Sequence, residues 1–87
     1  MFTNDTALLQ FTVFGHAEQD PDRAMLRAAR DKIEACKNPN IRILRQLPNA
    51  ERPTRLLVQT DAQTVHALLK EFEPAVEIEE NRPLFLL

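Results

Sequence analysis

The side chains with the types for chemistry are His16, His66 and Cys36, together with the acidic run Glu77, Glu79 and Glu80. Two imidazoles and a thiol are soft metal ligands and nucleophile partners, but no i, i+4 or Cys-x-x-Cys spacing joins them. A Cys–His nucleophilic pair needs side chains from distant parts of the chain to converge. Cys36 falls on the apolar stripe of a helical segment, which suits a buried structural thiol. His66 points off the stripe of a second helical segment, the ordinary setting of a solvated imidazole. The three carboxylates fall near the end of a strand, and no enclosed pocket is implied around them. These residues predict a protein that is not an enzyme and that holds no metal and no cofactor.

The elements that carry these residues must fit in 87 residues, enough for one domain, spanning 1–87, with one small core. A 44% hydrophobic fraction is that of a globular chain. A net charge of -2 lacks the basic footprint that nucleic acid requires, so no nucleic-acid partner is expected. The apolar runs are too short to span a membrane, so no membrane partner is expected either. No charged-then-apolar leader precedes the first strand, which predicts an unexported, cytoplasmic protein. The lone Cys36 excludes a disulfide framework, and the single glycine excludes a glycine-rich phosphate loop.

Leu8 to Gly15 alternates as a strand, with Leu9, Phe11 and Val13 on one face. Asp20-Pro21 has the form of a helix start, an N-cap carboxylate with proline at the first helical position. The helix is expected to run to about Lys37, with Met25, Leu26, Ala29, Ile33 and Cys36 as its buried stripe. Asn38-Pro39 stops it. Ile41 to Leu47 is a second strand, with Ile41 and Ile43 inward, and Pro48 to Pro53 is a turn. Arg55 to Gln59 is a third strand, with Leu56 and Val58 inward. Thr60 and Gln63 fit a capping box for a second helix whose stripe is Val65, Leu68, Leu69 and Phe72. Pro74 closes that helix, and Val76 and Ile78 begin a fourth strand. The order β-α-β-β-α-β, with two right-handed crossovers, predicts a ferredoxin-like α+β sandwich: a four-stranded antiparallel sheet with both helices on one face.

The other sheet face is then open. By alternation it presents Gln10, Thr12 and Phe14, then Arg42, Leu44 and Gln46, then Arg55, Leu57 and Gln59, and finally Glu77 and Glu79. Most are polar, as a solvated face requires. Phe14, Leu44 and Leu57 are not. They either touch as an apolar partner patch or stand as scattered surface hydrophobes.

The last stretch, from Val76 to Leu87, alternates, turns acidic, meets Pro83 and then runs apolar through Leu84, Phe85, Leu86 and Leu87. Termini are normally the polar part of a domain, so such a tail is expected either to fold into the chain's own core or to enter another protein. The segment from Gln59 to Leu69, continued by Pro74 to Asn81, resembles the C-terminal half of subtilisin propeptides and their free-standing inhibitor relatives. That family shows a strand, a Thr-containing helix start, an apolar helix, a turn with proline or aspartate, and then Val-x-x-Val-Glu-Glu-Asp. Here the motif reads Ile78-Glu79-Glu80-Asn81. The resemblance covers about the last thirty residues and is topological before them. Arg82 to Leu87 matches the short tail that in the family ends at the cleavage point.

The resemblance implies an inhibitor, or a trans-acting chaperone-like folding factor, of a subtilisin-like serine protease. The open sheet face would pack on two parallel surface helices of the protease. Glu79 and Asn81 would cap the N-termini of those helices, where N–H donors are unpaired and the dipole is positive. Asn81 replaces the usual Asp, keeping a capping oxygen and giving up the charge. Leu84 to Leu87 would lie in the substrate cleft as an added strand, with Leu87 in the primary specificity pocket. The protease-binding set is thus Glu79, Asn81, Leu84, Phe85, Leu86 and Leu87, with Phe14, Leu44 and Leu57 on the face. The competing expectation is a regulatory or assembly module of ACT type, in which the same apolar face makes a homodimer.

Overall fold

In the computed structural model, which describes residues 8–81, the chain forms β1 (Leu9–Gly15), α1 (Ala24–Ala35), β2 (Arg42–Leu47), β3 (Arg55–Thr60), α2 (Ala62–Leu69) and β4 (Val76–Asn81). The four strands make one antiparallel sheet in the order β2-β3-β1-β4. Each helix carries the chain over a strand, α1 from β1 past β3 to β2, and α2 from β3 past β1 to β4. This is the ferredoxin-like arrangement that the order of elements predicts.

Alternation decides the core. Phe11 and Val13 of β1, Leu56 and Val58 of β3 and Val76 of β4 are buried, and they meet Leu26, Ala29 and Ile33 of α1 and Val65 and Leu69 of α2 in one cluster. Phe72, in a 3-10 turn that extends α2 over Lys70–Phe72, joins the same cluster. Met25, Cys36, Ile43, Leu68 and Ile78 pack half-buried around it. Because one cluster takes in residues of both helices, both lie on the same side of the sheet.

The start of α1 differs from its expected form. The helix begins at Ala24, not at Pro21, and its cap position, Arg23, is left-handed at φ 62°. Asp20 nevertheless caps it from a distance. Its buried carboxylate accepts from the N–H of Met25 at 2.9 Å and of Leu26 at 3.1 Å, two donors of the first turn. Arg23 donates from Nη1 to Gly15 O at 2.9 Å, tying the connection to the end of β1. Gly15 is small for a steric reason. A Cβ there would stand 2.6 Å from Asp20 Oδ2.

At the other end α1 stops at Ala35, and Lys37 adopts a left-handed φ of 54°. A side chain at that position costs about 1 kcal/mol, which glycine avoids. Lys37→Gly should therefore raise the unfolding free energy by about 0.5–1 kcal/mol in urea denaturation.

The cap of α2 is Asp61, one residue after the Thr60 of the expected capping box. Thr60 is the last residue of β3 and is fully buried. Asp61 Oδ1 accepts from Thr64 N and its Oδ2 from Thr64 Oγ1, both at 2.8 Å. These bonds, the backbone one foremost, hold the Asp61 carboxyl below the ordinary carboxylate value. A depressed folded value stabilises the fold above the unfolded value of about 3.9, and that contribution is lost as pH falls through the folded value. Asp61→Asn keeps a capping oxygen but does not titrate. Between pH 7 and pH 3 the native chain should lose more urea resistance than Asp61→Asn does.

Strand β2 also departs from simple alternation. Ile43 pairs with Val58, but Arg45 pairs with Leu57 and Gln46 with Leu56, so the register slips at Leu44. A bulge sets two residues against one, here Leu44 and Arg45 against Leu57. The slip reverses the faces beyond it. Gln46, expected on the open face, lies on the helix side, where Arg30 of α1 donates to its Oε1 at 3.3 Å. Leu47, paired with Arg55, takes a place on the open side.

Candidate protein-docking face

The strand registers arrange the open face as three rows. One runs Arg42, Gln59, Gln10, Asn81; the next Arg45, Leu57, Thr12, Glu79; the last Leu47, Arg55, Phe14, Glu77. The rows place three arginines on β2 and β3 and two glutamates on β4. Between the charges stand Leu57 and Phe14, with Leu47 on the outer β2 edge beside Arg55 and Leu44 at the bulge, all four half-buried. Leu57 and Phe14 are diagonal neighbours across β3 and β1, a spacing of about 7–8 Å that long side chains bridge. Thr12, Phe14, Arg55 and Glu79 line a shallow depression at the centre of the face.

Glu79 is exposed and, among the described residues, takes part in no salt bridge. Its neighbour along the strand is differently placed. Glu77 Oε1 lies 2.5 Å from His16 Nε2, and the His16 ring meets Phe14 edge-on at 5.8 Å. Asn81 Oδ1 accepts from Thr12 Oγ1 at 2.9 Å. An amide oxygen takes two hydrogen bonds, so one acceptor site on Asn81 is already used within the chain. Glu80 has the opposite parity from Glu79 and pairs with the inward Phe11, so the three carboxylates do not share a face. Leu84, Phe85, Leu86 and Leu87 lie outside the described residues.

The thiol and the two imidazoles do not assemble into one site among the described residues. Cys36 caps the end of α1 and is half-buried, with Sγ donating to Ile33 O at 3.1 Å. His16 and His66 do come together, lining one shallow surface depression with Glu73 and Glu77. Sequence spacing hid that meeting, because it is made by the return of β4 alongside β1. Among the described residues no group of three or more His, Cys, Asp or Glu side chains could hold a metal ion. No helix of the described residues is long and apolar enough to cross a membrane.

No family model, curated protein or solved structure matches the chain.

Proposed function

We propose that the protein binds and inhibits a subtilisin-like serine protease, docking its open sheet face on surface helices of the enzyme. The observation that carries this reading is Glu79: an exposed carboxylate with no salt-bridge partner among the described residues, diagonal to the half-buried Phe14 and in one row with the half-buried Leu57. An apolar platform edged by a carboxylate suits a helix N-terminus, which offers unpaired N–H donors and a partial positive charge. The sheet is preformed, so docking loses little ordering entropy. In this reading Asn81 uses the second acceptor site of its oxygen, and the segment from Leu84 to Leu87 lies along the substrate cleft.

Titrating the intact chain against a broad-specificity subtilisin, with and without residues 84–87, tests the reading. Saturable inhibition that weakens on truncation is expected. No inhibition by the intact chain, or equal inhibition by the truncated one, sinks it.

A further inference from the structure

We propose that the open face is self-complementary, and that two copies of this chain pair through it about a two-fold axis nearly parallel to the strands. The argument begins with the division of charge. Arg42, Arg45 and Arg55 occupy the β2–β3 half, and Glu77 and Glu79 occupy β4 at the far edge. None of these arginines makes a salt bridge among the described residues, and neither does Glu79. Leu57 lies between Arg45 and Glu79 in its row, and Phe14 between Arg55 and Glu77 in the next.

An isologous pair brings the same patch together from both copies. Two face-to-face arrangements keep the strands of the two sheets aligned. An axis across the strands sets each edge strand over its own copy, so Arg45 meets Arg45 and Glu79 meets Glu79. Like charges so placed oppose association. An axis along the strands exchanges β2 with β4 and β3 with β1. Row by row, Arg45 then meets Glu79, Leu57 meets Thr12, Arg55 meets the Phe14 ring and Arg42 meets the Asn81 amide. Each arginine and Glu79 thus finds an opposite charge, a ring face or a polar group, while Glu77, which His16 already engages within the chain, falls opposite Leu47. Twisted sheets pack at about 30° to each other, which a two-fold axis inclined by half that angle satisfies.

The size of the face bounds the affinity. Strands about 4.8 Å apart, with about 3.3 Å of rise per residue, give a patch of roughly 20 by 20 Å. That is at the small end of specific interfaces and implies a reversible, salt-sensitive dimer. The inference does not rest on the inhibitor reading, because self-association is measured with no protease present.

Sedimentation equilibrium of the full chain tests it. A dimer should form at roughly 0.1–1 mM chain and weaken several-fold between about 20 and 500 mM salt. Arg45→Glu and Glu79→Arg should each reduce association by about tenfold or more. An equimolar mixture of the two variants should recover it, since each supplies the charge the other lacks. The chain carrying both exchanges should also recover it, and this result selects the axis along the strands. Recovery in the mixture also shows that neither variant has simply failed to fold. A chain that stays monomeric at about 1 mM in low salt, a dimer indifferent to both single changes, or a double exchange that does not recover overturns the proposal.

Discussion

Asp20→Ala should lower the unfolding free energy by about 2–4 kcal/mol. A chain of this length has only about 4–13 kcal/mol in all, so the variant should lose a large share of its stability. The size of the effect follows from where the carboxylate sits. Asp20 is 2% exposed, and both of its oxygens are used on N–H groups of the first turn of α1. Truncation leaves the buried Leu26 N–H without a partner and removes a negative charge from the positive end of the helix. Asp20→Asn keeps the shape but has one acceptor oxygen, so its cost should fall between alanine and the native residue. Gly15→Ala should act through the same contact, because the added methyl displaces Asp20 Oδ2, which the Leu26 N–H holds in place. Alone it should cost about 1–3 kcal/mol. Added to Asp20→Ala it should cost almost nothing, and that non-additivity is the signature of a shared contact. Urea denaturation of the two single variants and the double variant reads the cycle directly. Additive losses would show that Gly15 and Asp20 act separately.

Leu57→Asp should do the opposite: spare the fold and abolish docking. Leu57 lies outside the core cluster, on the open side of β3 between Thr12 and Arg45. The stability cost should therefore be about 1 kcal/mol, the span of strand preference, well below that of Asp20→Ala. At the centre of a contact surface, a buried carboxylate in place of an apolar anchor costs about 2 kcal/mol or more, a loss of about thirtyfold or more in affinity. Urea denaturation and protease titration of the same variant separate the two quantities. A large loss of stability with docking retained would place Leu57 in the core and some other surface at the interface.

Much of the fold is legible in the sequence because each element follows one period. Phe11 and Val13, Leu56 and Val58, and the stripe Val65, Leu69 and Phe72 all fall where alternation or helical spacing puts them. The misplaced residues share a cause, a local choice decided by a contact far away in the sequence. Asp20-Pro21 has the look of a cap and first turn, yet the Arg23 backbone turns left-handed and the helix starts at Ala24. Only the contact of Asp20 with the first turn, over Gly15, explains why. The bulge at Leu44 is hidden because Leu44-Arg45-Gln46-Leu47 alternates equally well in either register. The pairing of Arg45 with Leu57 selects the one observed, and the slip exchanges Gln46 for Leu47 on the open face. The Asn81 oxygen, free in a linear reading of the acidic motif, is engaged by Thr12 across the β1–β4 pairing.

The central claim is that the open face, with Glu79 at its edge, receives the helices of a subtilisin-like protease. The inhibition constant of the native chain against a broad-specificity subtilisin, set beside that of Glu79→Gln, tests it most directly. The substitution keeps the shape and one acceptor oxygen and removes the charge that a helix N-terminus rewards. Measurable inhibition by the native chain, weakened about three- to tenfold by Glu79→Gln and relieved by salt, is the predicted result. A native chain that leaves the protease fully active, or a Glu79→Gln chain that inhibits as well as the native one, contradicts it.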